Sequence, residues 1–150
     1  MNHGVVSEDC LPYTAGIDGT HGFCMYRCND KSQSYKKYGC KWDSMKVLTN
    51  VVDIQNEIKN NGPVMTGYMI YEDHFSYSSS ATTPYEVTPG SAVAGGHAVI
   101  IYGWGYESGR LYWKAQNQWG TSWGKSGFFD IYHEEAGFGL VAVSCDPDVE

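Results

Sequence analysis

From Pro63 onward, no stretch of this chain holds an apolar pattern long enough for a substantial helix. Short apolar and aromatic runs at 64–71, 98–102, 110–117, 127–132 and 140–144 are instead separated by Gly and Ser clusters, and runs of that length bounded by turn residues form strands. In the third run Leu111, Trp113 and Ala115 alternate with Tyr112, Lys114 and Gln116. That period of two belongs to a sheet with one face on a core and the other toward solvent. Glu107-Ser108-Gly109 supplies a turn that folds this run back beside the preceding one as a hairpin. One helix is expected, at 51–60. Asn50 is its N-cap with Asp53 as an acidic third residue, Val51, Ile54 and Ile58 share a face, and Asn61-Gly62-Pro63 stops it. The stretch 76–96, rich in Ser, Thr, Pro and Gly, is too long for a tight connection and is expected to cover a face of the sheet. The fold class is therefore α+β: a mainly antiparallel sheet with one short helix.

The first part of the chain reads differently. Over 5–43, Pro12, Gly16, Gly19, Gly22 and Gly39 interrupt every periodic pattern, and Cys10, Cys24, Cys28 and Cys40 fall among them. A Cys-rich loop region at 1–45 that needs stapling, followed by the helix and sheet at 46–150, is the expected organisation. The 150 residues amount to one domain, enough to bury ~70% of the unfolded surface. The fifth cysteine, Cys145, makes the count odd, which suggests disulfides plus one thiol whose partner lies elsewhere.

Composition narrows the function. Acidic residues outnumber basic ones 17 to 10, for a net charge of −7. Such a balance repels phosphate backbones and anionic lipid, so neither nucleic acid nor a membrane surface is an expected partner. No apolar run approaches the ~20 residues of a spanning helix. Residues 1–4 lack the pattern of a secretory signal, which suits a processed chain or one that is not secreted.

His97 stands between Gly95-Gly96 and the apolar run Ala98-Val99-Ile100-Ile101. Glycines there permit close backbone approach and leave the imidazole at a strand entrance, where a general base can face a cleft. Some twenty residues on comes Asn117-Gln118-Trp119-Gly120-Thr121-Ser122-Trp123-Gly124, at the end of the strand that the hairpin folds beside the one His97 starts. An Asn in that place holds an imidazole by a neutral hydrogen bond without competing for its proton, and Trp119 is placed to shield the bond. A zinc site from His21, Cys24, Cys28 and Cys40 is the rival reading of the loop region, but the spacing lacks a Cys-x-x-Cys knuckle. Neither a metal nor a cofactor is called for. His3, His74 and His133 have no motif around them and read as surface residues.

With these residues in view, the chain resembles the papain-like cysteine peptidases, and within them the cathepsin B-like group. Cys10-Leu11-Pro12-Tyr13, Asn61-Gly62-Pro63-Val64, Gly95-Gly96-His97-Ala98, Gly103-Trp104-Gly105 and Asn117-x-Trp119-Gly120-x-x-Trp123-Gly124 carry the likeness. The resemblance implies the family's right-hand, mainly β domain, a half-barrel with a stapled loop region. It makes His97 the catalytic base, Asn117 its orienter and Trp119 the indole over their bond. It also implies a Cys10–Cys28 disulfide and a Cys24 whose mate lies in the left-hand domain; Cys40 and Cys145 pair or stay free. Gly95 and Gly96 border the substrate pocket, and Val143 falls at its base, where an apolar floor would prefer Leu, Val or Phe; an ordinary inward strand residue is the alternative for Val143.

Several departures shape the expectation. The family's nucleophile opens a helix in a Cys-Gly-Ser-Cys-Trp-like segment, and no such segment occurs in these residues. The residue after the orienting Asn, usually Ser, is Gln118. No two-histidine occluding insertion lies between Cys10 and Cys28, so exopeptidase trimming is not implied, and the cleft wall at 77–80 reads as remodelled. Phe138 and Ser91 stand where papain pairs two cysteines. The expected function is the His/Asn half of a cysteine endopeptidase, inactive alone, with peptide as substrate only when a thiol half is supplied. A non-catalytic pseudopeptidase serving as a binding or structural subunit is the alternative. Both call for a protein partner over the face of the absent left domain, with Trp119 and Trp123 exposed beneath it. A lysosomal, vacuolar or extracellular setting is implied by resemblance alone.

Overall fold

A computed structural model describes residues 4–16 and 22–148. In chain order its elements are β1 (Gly39–Cys40), β2 (Lys46–Leu48), α1 (Val51–Asn60), β3 (Val64–Tyr71), a 3-10 turn (Glu72–Ser76), β4 (Val93–Glu107), β5 (Arg110–Gln116), β6 (Phe128–Tyr132), a second 3-10 turn (Glu135–Gly137), β7 (Ala142–Ser144) and β8 (Pro147–Asp148). They fall into two units, Met1–Met45 with Cys145–Glu150, and Lys46–Ser144.

The first unit is a loop structure in which disulfides take the place of a core. Among its described residues only Cys10 and Cys28 are buried, and they are bonded to each other, as Cys40 is to Cys145. These bridges span 18 and 105 residues of sequence, loops whose closure is worth about 3 and 5 kcal/mol in the chain-entropy model. The β1–β8 pair and a bridge from Val5 to Tyr38 are its regular backbone pairings. Cys24 is free and exposed. Since Cys28 and Cys40 are both disulfide-bonded, they supply no thiolates to zinc; His21 and His3 lie outside the described residues.

The second unit is a six-stranded antiparallel sheet in the order β2-β7-β3-β4-β5-β6. Helix α1 forms where its caps dictate. Asn50 Oδ1 accepts from the Asp53 N–H at 2.9 Å, and the Asn61 N–H closes the last turn on the Glu57 carbonyl. Asn50→Ala should destabilise the unit by about 1 kcal/mol, measured as a lowered urea midpoint. Ile54 is fully buried, with Val51 and Ile58 packed around it. Glu57 is buried too, and its carboxylate takes Lys46 Nζ, Ser144 Oγ and Asn61 Nδ2, tying the helix to β2 and β7. Burial works to raise the Glu57 pKa, but those donors outweigh it and hold the group below its ordinary value.

Strand β3 alternates buried and exposed residues along nearly its whole length. Val64, Thr66, Tyr68 and Ile70 face inward, onto a core completed by Val99, Ile101, Trp113, Ala115, Phe129 and Phe138. The 76–96 stretch covers this side, since Tyr77 and Tyr85 enter the core and Tyr85 bridges Ile131. Ser108 and Gly109 both have positive φ in the two-residue turn between paired Glu107 and Arg110, the geometry that matches the strands' twist. Strand β4 is far longer than the 98–102 run, because Gly95, Gly96, Gly103 and Gly105 extend it without side chains that would show periodicity. Phe138, with no exposed surface, fills the core beside Tyr68 and Phe129.

Candidate active site

His97 lies on β4 opposite Tyr68 of β3, and Asn117 follows the last residue of β5. The pairing of Ile100 with Gln116 brings the two together across the hairpin. Asn117 is buried and its own N–H is held by the Gly127 carbonyl at 2.9 Å. Its Oδ1 lies 2.9 Å from His97 Nε2 and accepts from the Gln118 N–H, also at 2.9 Å. A backbone N–H can only donate, so the Asn117 atom facing it is the oxygen. The same oxygen faces the imidazole, and His97 Nε2 therefore donates. That leaves the lone pair on Nδ1, the nitrogen free to accept a proton.

Trp119 stacks on His97 with centroids 5.0 Å apart and on Phe75 at 5.2 Å. Trp123 meets Trp119 edge-on and donates from Nε1 to the Phe75 carbonyl at 3.1 Å. Both indoles are only half-buried, yet they are not the open surface expected from sequence, because the 3-10 turn after β3 lays Phe75 over them.

Behind this aromatic group sits His74, read from sequence as a surface residue and in fact without exposed surface. The 3-10 turn breaks the alternation of β3 and turns the ring inward, so no periodicity in the sequence marks it. His74 Nε2 lies 3.0 Å from the Tyr68 hydroxyl, while Nδ1 has no hydrogen-bond partner. Burial, reinforced by nearby His97, pulls its pKa down to about 4. His133 is likewise not free surface: its Nδ1 accepts from Trp113 Nε1 at 3.2 Å.

On the outer face of the sheet, a depression of about 510 Å³ is lined by Met65, Ala98, Val99, Ile100, Gln116, Asn117 and Gln118. Val143 pairs with Met65 on β3, one position from inward-facing Ala142. It therefore lies on this outer face and is not an inward residue. Gly95 and Gly96 stand opposite Ile70 and Met69, with open space where side chains would project. Neither they nor Val143 line the depression itself. Among the described residues no cluster of His, Cys, Asp and Glu has the makings of a metal site.

A family model described as papain family cysteine protease matches residues 1–145, and the chain belongs to that family. Its relatives are cathepsin B-like. A cathepsin B-like cysteine proteinase 3 of Caenorhabditis elegans is 40% identical over 135 residues, covering 86% of this chain and 35% of the relative. A protein of the same description from Ostertagia ostertagi is 36% identical over 137 residues, covering 80% of this chain and 76% of the relative. The solved structure of proCathepsin B S9 from Trypanosoma congolense superposes with a TM-score of 0.80 at 29% identity, over 98% of this chain and 50% of that one. The chain thus spans about a third of the Caenorhabditis relative and half of the trypanosome structure, and is a cathepsin B-like fragment of the papain fold.

Proposed function

We propose that this chain supplies the imidazole and its orienting amide to a cathepsin B-like cysteine endopeptidase, with the attacking sulfur supplied from outside these 150 residues. The observation that carries this reading is the His97–Asn117 bond of 2.9 Å under a stacked indole. It puts the proton on Nε2 and leaves Nδ1 as acceptor. In the proposed reaction Nδ1 takes the thiol proton as sulfur attacks the peptide carbonyl, and His97 returns that proton to the leaving amine. Water then attacks the thioester, giving its proton to Nδ1, and the thiol is regenerated as the acid leaves. The chain's own sulfurs suit the attacking role poorly. Four are in disulfides, and Cys24 lies in an exposed loop with no motif of a family nucleophile around it. The apolar outer face around Met65, Ala98 and Val143 supports a preference for apolar side chains two residues from the cut.

The test is to label native material with a thiol-directed peptidyl inhibitor and weigh the products. Label on a sulfur outside residues 1–150 is the expected result. Label on Cys24 overturns the assignment of the thiol, and absence of label favours a non-catalytic descendant.

A further inference from the structure

Gln118 directly follows the residue that holds the candidate base, and its contacts are specific. In an antiparallel strand, successive N–H groups point to opposite neighbours. Asn117 N–H points to Gly127, on the β6 side, so a regular continuation would aim the Gln118 N–H at β4. The register agrees: Ile100 pairs with Gln116, and continuing that antiparallel register by two residues, back along β4 and on past the end of β5, would set Ala98 opposite Gln118. The N–H does not go to Ala98. It bends to Asn117 Oδ1, and the Gln118 side chain makes the link to β4 in its place, Nε2 donating to the Ala98 carbonyl at 3.0 Å.

We propose that Gln118 is a positioning residue for His97: its carboxamide replaces a backbone bond between β5 and β4, releasing the Gln118 N–H to orient the Asn117 amide. The consequence reaches His97 through Asn117. The second donor on Oδ1 is what discriminates between the two faces of the carboxamide, since turning the amide over would oppose an NH2 group to an N–H. With Oδ1 held toward the ring, Nε2 is the protonated nitrogen and Nδ1 the acceptor. Without the side-chain link, the N–H is drawn back to the Ala98 carbonyl, Asn117 is free to turn, and the other tautomer becomes competitive. A short Ser at this position lacks the reach to Ala98. The inference rests on the proposed role of His97 but concerns the ring's tautomer, which is measurable in this chain without the attacking thiol.

The experiment is ring-nitrogen NMR of His97 in the full chain at a pH where the ring is neutral, with Gln118→Ala and Gln118→Glu as variants. Glu keeps the size of the side chain and removes the donor. Gln118 is exposed, and retention of the wild-type amide fingerprint for β3 and β4 verifies folding. The wild type should show Nε2–H almost alone. Both variants should raise the ratio of Nδ1–H to Nε2–H about fivefold, the net preference of one ordinary hydrogen bond, and the residue-118 amide proton should shift. Gln118→Lys, which restores a donor with the necessary reach, should recover most of the wild-type ratio. Ring signals unchanged in the Ala and Glu variants overturn the proposal. Absence of inhibitor label in native material would instead overturn the peptidase reading and leave the ring signals as they are.

Discussion

Between pH 6.5 and about 4 the sheet unit should lose about 3 kcal/mol of stability to one residue, His74. Its folded-state pKa is about 4 against an ordinary 6.5, so the unfolded chain binds the proton first. Stabilisation is complete above pH 6.5, falls as pH drops toward 4, and changes no further below that. At about 1.4 kcal/mol per pH unit of separation, the gap gives the stated loss. The physical cause is in the surroundings. Tyr68, Tyr77, Tyr85, Trp119, Trp123 and Phe129 pack around the ring, Nδ1 has no partner, and His97 adds a positive charge nearby when protonated. Adjacent Asp73 works in the opposite direction, but too weakly to restore the ordinary value. Asp73 itself does not confuse the window. Burial works to raise its pKa, but the Thr88 N–H and the Tyr85 and Ser91 hydroxyls outweigh it and hold it at about 2, so its contribution is lost only at lower pH. Urea midpoints followed by Trp fluorescence should therefore slope steeply in the wild type between pH 6.5 and 5, above the range where the depressed Glu57 and Asp73 carboxylates lose their contributions, and lie nearly flat there in His74→Phe. The variant leaves the Tyr68 hydroxyl without its partner, a cost of about 1–3 kcal/mol at neutral pH that Tyr68→Phe in the same chain should relieve. A wild-type midpoint constant from pH 7 to 4.5 would refute the assignment.

The parts of this fold that sequence disclosed are those where side chains repeat. Leu111, Trp113 and Ala115 alternate with polar neighbours and became β5; Asn50, Asp53 and Asn61-Gly62-Pro63 bracket a helix with the observed bounds. Backbone-driven features were hidden for the complementary reason. The glycines that lengthen β4 carry no pattern, and the 3-10 turn that buries His74 follows a strand whose alternation would have said nothing about residue 74. At the site, His97 and Asn117 stood out by their flanking residues and by resemblance, and a hairpin of readable geometry joins them. The reach of the Gln118 side chain to Ala98 was not visible, because it depends on which way one N–H turns where a strand ends. Trp119 and Trp123 are half-buried rather than open surface because Phe75, which stacks on one and accepts from the other, belongs to that same turn.

Gly139→Ala should destabilise the sheet unit by about 2–5 kcal/mol. Two costs combine. The residue has φ +73, a left-handed conformation that charges any residue with a Cβ about 1–2 kcal/mol. The added methyl would also stand 2.3 Å from Trp113 Nε1 and 2.9 Å from Cδ1. Trp113 has no exposed surface to move into and spends that Nε1–H on His133, so relief requires shifting a rigid indole in a close-packed core, the overpacking cost of about 1–3 kcal/mol. Gly137 provides the control. It too has positive φ, +82, but an added methyl would meet only Leu140 Cδ1, at 4.0 Å. Gly137→Ala should therefore carry the backbone strain alone, about 1–2 kcal/mol. The difference between the two urea-derived stabilities isolates the clash, and equal losses would refute it. Because β5 carries Trp113 in its middle and Asn117 just past its end, Gly139→Ala should also broaden the His97 ring signals, whereas Gly137→Ala should leave them sharp.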